Sequence, residues 1–154
     1  MNANDMQVGG DHYRSDLQHW DIVSAFNIPY LEGCASKYVS RWRKKNGLQD
    51  LEKALHFATK LKEAVQDRRT LMDRIEAAIN GGIFWIGSYR KGDRVPLEVI
   101  ERFVIANDLE MQERRVLQLL WRWDEMREIE LAIDGIQALI REAKRGAETS
   151  TGAG

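Results

Sequence analysis

The sequence predicts an all-α protein, a helical bundle built on an antiparallel helix hairpin, and three observations lead there. Only two prolines, Pro29 and Pro96, occur in 154 residues. Apolar residues recur every three or four positions over long stretches. The interruptions are short Asn and Gly signals of the kind that end helices, at Asn27, Asn46-Gly47 and Gly81-Gly82. With 44% hydrophobic and 31% charged residues, the chain has enough apolar material for one globular core.

Each element follows from its own pattern. A first helix is expected over Asp16 to Phe26, where Leu17, Trp20, Ile22, Val23 and Phe26 form a broad apolar side that Asn27 ends. Pro29 suits the opening turn of a second helix, whose Leu31, Cys34, Ala35, Tyr38, Val39 and Trp42 keep the helical period up to Asn46. Gly47 is the expected C-terminal cap. A third helix, residues 48–67, repeats the period at Leu48, Leu51, Ala54, Leu55, Ala58, Leu61 and Val65, so helices two and three should pair antiparallel across a tight turn. After Arg69 a further helix is expected from Thr70 to Asn80, ended by Gly81-Gly82. Residues 83–95 are short, aromatic and β-prone, which predicts a small hairpin or a docked loop. Pro96 opens another helix to Ala106, and Asp108 should cap a long last stretch from Leu109 to Lys144 with a bend near Asp124. Its Val116, Leu119, Leu120, Trp123, Ile129, Ile133 and Ile136 are more apolar surface than a lone terminal helix covers, so a homo-oligomer contact is expected there. Residues 1–10 and 146–154 are too poor in apolar side chains to order alone, and 146–154 should be a disordered tail.

Charge and cysteine content narrow the function classes. Twenty-three Lys and Arg against 24 Asp and Glu give a formal net charge of −1, with no global attraction for a polyanion. A nucleic-acid partner is therefore not expected, and any phosphate site must be local. The single cysteine, Cys34, excludes an internal disulfide framework and cannot build a thiolate metal site by itself. No apolar run reaches the roughly 18 residues of a transmembrane helix, and Met1 to Gly10 lacks the features of a signal peptide. A cytoplasmic location without a membrane partner is the expectation.

One stretch concentrates charge. Lys37-Tyr38-Val39-Ser40-Arg41-Trp42-Arg43-Lys44-Lys45 carries five cations and no acid. On a helix, Lys37, Arg41 and Lys44 or Lys45 would form one stripe beside Tyr38 and Trp42, and the next helix adds Lys53, His56 and Lys60 at compatible spacing. Such a stripe can clamp phosphates while an aromatic ring stacks on a base, and it is equally what a solvated helix C-terminus carries. Gly9-Gly10-Asp11-His12-Tyr13-Arg14 is a second cluster, reading as an anion-approaching glycine turn or as a plain capping turn. Walker-type loops, nucleophile elbows, paired-His zinc helices and calcium loops are absent from the sequence. Glu110-x-x-Glu113 and Glu125-x-x-Glu128 place carboxylates one turn apart, as a magnesium site over pyrophosphate would need, but interleaved arginines offer them ion-pair partners instead. No metal ligand and no cofactor are assigned from the sequence.

Val8-Gly9-Gly10-Asp11-His12-Tyr13, Gln18-His19-Trp20-Asp21, and the run from Cys34 through Lys37-Tyr38-Val39-Ser40-Arg41-Trp42-Arg43-Lys44-Lys45-Asn46-Gly47-Leu48-Gln49-Asp50-Leu51-Glu52-Lys53-Ala54 resemble a small phage-encoded family described as nucleotide-kinase-like. The resemblance covers residues 6–65 and does not extend beyond Arg69. It implies a phage origin and nucleotide handling in an infected cell, and it implies that His12, Tyr13, Lys37, Arg41, Trp42, Lys45, Asp50 and Lys53 lie near the ligand. It assigns no catalytic residue. Residues 1–69 are then the nucleotide-kinase-like helical region, and 70–145 a helical C-terminal region that belongs to the same globule or serves oligomerisation.

Together these readings lead to a nucleotide-binding protein that holds phosphates on a basic helix face and sequesters a nucleotide or cyclic nucleotide, such as an immune signal of the host. The alternatives are a nucleotide kinase without a phosphate loop and, third, a magnesium-dependent all-α NTP pyrophosphatase. Whether phosphate is transferred stays open at this level. Replacing Arg41 with Ala is expected to weaken binding and spare the fold.

Overall fold

The computed structural model describes residues 16–78 and 93–151, with the backbone alone for 68–78 and 149–151. Six α-helices and one 3₁₀ turn occupy these residues: α1 (His19–Ala25), α2 (Tyr30–Arg41), the 3₁₀ turn Trp42–Lys44, α3 (Leu48–Ala78), α4 (Leu97–Ala106), α5 (Met111–Arg122) and α6 (Met126–Thr151). All-α is therefore the fold class, with no strand among the described residues. Four helices form a ring of neighbours, α2 on α3, α3 on α6, α6 on α5 and α5 on α2. The core lies between them, and α1 and α4 close it by packing on α2 and α5.

The α2–α3 hairpin forms as its apolar period predicts. Trp42 accepts the Gly47 N–H at its carbonyl at 2.8 Å, and Gly47 turns the chain at φ +54°, a conformation that glycine adopts without strain. Ala35, Val39, Leu51, Ala54 and Ala58 are buried along the seam, where the small alanines let the helices approach closely. Val116, Leu117, Leu120, Ala132, Ile136 and Leu139 complete the core from α5 and α6. Leu61, Val65, Trp123 and Ile129 form a smaller cluster.

Several local expectations are corrected. Helix α1 is shorter than predicted, starting at His19, where the Asp21 carboxylate accepts the Gln18 N–H at 3.0 Å. Helix α3 continues through Arg69 and Thr70 to Ala78, because nothing between Leu48 and Ala78 is Gly or Pro and a polar run does not end a helix. Asp108 does not cap α5; it sits at φ +54° in the turn after α4, and Glu110 takes the N-cap position. The bend expected near Asp124 is a full break. Trp123 leaves α5 with extended backbone and turns its indole to the Glu32 carboxylate at 3.2 Å, while Glu128 accepts the Asp124 and Glu125 N–H groups and starts α6. Helix α6 then runs to Thr151, so residues 146–151 of the expected tail are helical. Most of the expected hairpin or loop at 83–95 lies outside the described residues. Asp93–Val95 are irregular and tied down, with the Asp93 N–H on the Phe26 carbonyl at 2.7 Å and Val95 fully buried.

The surface expected to need a second copy is largely covered within one chain. Val116, Leu120, Trp123, Ile129 and Ile136 are buried, and Leu119 and Ile133 are half-buried. Their cover comes from α2 and α3, which the local pattern of α5 and α6 does not reveal.

Candidate functional site

The cation-rich segment is split at the end of α2. A regular helix would carry the stripe from Arg41 to Lys44 or Lys45, but the tighter 3₁₀ turn rotates Trp42, Arg43 and Lys44 away from it. The Trp42 indole is only 9% exposed and donates to Glu113 Oε1 at 2.8 Å. Arg43 Nε donates to the same oxygen at 2.8 Å, pairs with Glu110 at 2.8 Å, and lies 4.6 Å over the Trp42 ring. Burial opposes the charge on Arg43, yet Glu113, Glu110 and Glu142 together raise its pKa. Lys44 donates to the Asn107 carbonyl after α4. These residues staple α2 to α4 and α5. Trp42, expected near a ligand, belongs to the core.

Arg41 faces the other way, onto α3. Its Nε donates to Asp50 Oδ2 at 2.9 Å and its second nitrogen to Oδ1 at 3.3 Å. Asp50 is fully buried, and it also accepts from Asn46 Nδ2 at 3.1 Å and pairs with Lys53 at 3.8 Å. Burial raises the Asp50 pKa, but the bonds from Arg41 and Asn46 and the charges of Arg41 and Lys53 outweigh it and hold the carboxyl below its ordinary value. The carboxylate thus acts as a clamp that fixes the guanidinium plane between α2 and α3, with the Arg41 side chain only 13% exposed. At 100° per residue, Lys37 and Arg41 fall in one outer stripe of α2, and Lys37 is exposed. Lys53 replaces the missing end of the stripe from α3. Lys45 is exposed in the turn that follows.

Of the predicted site residues, the structure therefore brings Lys37, Arg41, Asp50 and Lys53 together on the α2–α3 face. His12 and Tyr13 lie outside the described residues. Tyr38, expected beside the stripe, is there, but two further rings of the same face, Tyr30 and Phe57, were not anticipated. Tyr38 lies under the Arg41 guanidinium at 4.7 Å and the Lys53 ammonium at 5.6 Å. Its ring stacks on Phe57 with centroids 5.8 Å apart at 15°, and Tyr30 meets Phe57 edge-on at 5.9 Å and 81°. The sequence carries Phe57 at the edge of the apolar stripe of α3, four residues after Lys53, where it packs on the core and still reaches the cationic face.

His19 is packed against Phe103 and Trp121, with ring centroids 6.3 and 6.2 Å away. The Ser36 hydroxyl donates to the Glu32 carbonyl at 2.7 Å, so His19 Nε2–H donates to Ser36 Oγ at 2.8 Å. Burial, reinforced by Lys37 and Arg41, pushes the His19 pKa down to about 3. The acidic pairs are structural: Glu113 and Glu110 hold Arg43, and Glu128 caps α6. Among the described residues no group of three or more His, Cys, Asp or Glu is placed to hold a metal ion. No helix among them is long and apolar enough to cross a membrane.

A protein-family model described as a protein of unknown function, DUF3310, matches residues 9–59, a segment that contains α1, α2 and the first turns of α3. No match is found among curated proteins or among solved structures.

Proposed function

We propose that the α2–α3 face binds a nucleotide through its phosphates and holds it without turning it over. The observation that carries this reading is the convergence of Lys37, Arg41 and Lys53 on one face, with Arg41 oriented by a fully buried carboxylate, in a chain whose formal net charge is −1. The exposed Lys37 and the half-exposed Lys53 offer mobile ammonium groups to phosphate oxygens, and the clamped Arg41 adds positive charge behind them. The family match covers this face, and the phage-type nucleotide handling implied by the sequence resemblance points to the same residues. Sequestration is favoured over phosphoryl transfer because the carboxylate at the face, Asp50, is already committed to Arg41, Asn46 and Lys53. The test is calorimetry with nucleoside mono- and triphosphates and cyclic nucleotides, then chromatography of the recovered ligand. Binding with the ligand unchanged is expected, weakened about tenfold in Lys37→Ala and again in Lys53→Gln. A phosphorylated product makes the protein a kinase, and pyrophosphate release makes it a hydrolase. Absence of binding rejects the reading.

A second copy of the chain has an open place to sit among the described residues. A groove of about 420 Å³ runs between α5 and α6, lined by Leu119, Leu131 and Ala138 and flanked by Arg115 and Asp134. In a two-fold dimer Arg115 would face the partner subunit's Asp134, a self-complementary arrangement. Light scattering should then return a dimer for the parent chain, a monomer for Arg115→Asp, and a dimer again when Asp134→Arg is added. A parent chain that is monomeric at micromolar concentration rejects it.

A further inference from the structure

We infer that Tyr30, with Phe57 and Tyr38 behind it, is the base-stacking half of the α2–α3 site, so that the ligand is a single nucleotide recognised by its base as well as its phosphates. This rests on the phosphate reading above and adds the part of the ligand that reading does not address.

Tyr30 is 73% exposed in the first turn of α2, although a tyrosine that only served the core would turn its ring inward. Its position is not free to wander, because Phe57 meets it edge-on and is itself backed by Tyr38 and touched by His56 at 5.8 Å. Tyr38 and Phe57 are half-buried and packed against the core, so the platform is anchored on two helices of the hairpin. A ring held in this way offers a π-face to an aromatic ligand at little cost in side-chain entropy.

Charge is arranged around the platform from one side. The rings form a series from Arg41 and Lys53 over Tyr38, to Phe57, to Tyr30, so cations lie at one end and the most exposed ring at the other. Tyr30, Lys37 and Arg41 also share the outer stripe of α2, and seven residues of helix separate Tyr30 from Lys37 by about 10 Å. A nucleoside triphosphate has this polarity and this reach, an aromatic base at one end and an anionic chain at the other. Inorganic polyphosphate would leave the rings unused. A long nucleic-acid strand would meet a chain with no net positive charge.

Calorimetry separates this inference from the phosphate reading when each of the four ribonucleoside triphosphates is compared with inorganic tripolyphosphate. Stacking predicts that at least one triphosphate binds roughly 5- to 100-fold more tightly than tripolyphosphate. Tyr30→Ala should abolish that advantage and leave tripolyphosphate binding unchanged, while Tyr30→Phe should retain it. Tyr30 is exposed enough that the Ala variant keeps its fold, which a thermal melt checks. Equal affinity for nucleotide and tripolyphosphate, indifferent to Tyr30, overturns the stacking role and leaves the phosphate site standing. Binding of neither probe overturns both. A single-stranded oligonucleotide bound more tightly than every mononucleotide overturns the assignment to a single nucleotide.

Discussion

At residue scale, the informative contrast is between two arginines two positions apart. Arg41 and Arg43 are neighbours in one basic run, yet Arg41 pairs with Asp50 of α3 and Arg43 with Glu113 of α5. Each answers a buried carboxylate, and a buried carboxylate stripped of its cation is costly. The expectation that Arg41→Ala spares the fold therefore has to be revised. Among the described residues Asp50 would keep Asn46 and Lys53, the latter at 3.8 Å. Urea unfolding should show a loss of about 2 to 3 kcal/mol for Arg41→Ala. Adding Asp50→Asn should recover part of it, and a cycle in which the two changes are simply additive would contradict the clamp. For this reason Lys37 and Lys53, and not Arg41, are the clean positions for testing binding.

At element scale, helix ends are decided by glycine, by capping carboxylates and by burial. Gly47 reverses the chain through its positive φ, as the Asn46-Gly47 pair suggests, but it does not cap α2, which ends earlier, at Arg41, where the 3₁₀ turn Trp42–Lys44 takes over. The break between α5 and α6 has no such marker and is made instead by Glu128 and by the burial of Trp123. Within α6, Gly135 sits against α5 so closely that a Cβ there would lie 2.7 Å from Val116 Cγ2. Gly135→Ala should therefore destabilise by about 1 kcal/mol, because overpacking of roughly 1 to 3 kcal/mol exceeds a gain in helix propensity of about 1 kcal/mol. In a Val116→Ala background the same change should stabilise, since the obstructing methyl is gone. Thermal unfolding of the four variants measures both signs.

At the scale of the whole molecule, stability should depend on pH through His19. Its folded pKa, about 3, lies below the ordinary 6.5, so between these values the unfolded chain binds a proton that the folded chain refuses. The stabilising contribution is complete above pH 6.5 and is lost as pH falls toward 3, at up to about 1.4 kcal/mol per pH unit. Asp50, whose pKa is held below 3.8, adds its own loss only below that value. Denaturant titrations from pH 7 to pH 4 should show this slope, and His19→Gln, which keeps a donor for Ser36, should flatten it. An unchanged slope in that variant would place the acid sensitivity elsewhere.

The sequence by itself determined the helical class, the α2–α3 hairpin with its turn at Gly47, and the charge concentration on that hairpin. These depend on periodicity and turn chemistry, which act within a few residues of the chain. It also placed Phe57 at the edge of the apolar stripe of α3, one turn after Lys53. Tertiary structure alone decided how the five cations divide, that Trp42 is core, and that α5 and α6 are covered by α2 and α3. Those outcomes are set by Arg43 with Glu113, Lys44 with Asn107 and Trp123 with Glu32, pairs far apart in the chain. A local pattern marks a residue as cationic or aromatic, but only packing brings up the buried carboxylate or carbonyl that selects which way it turns.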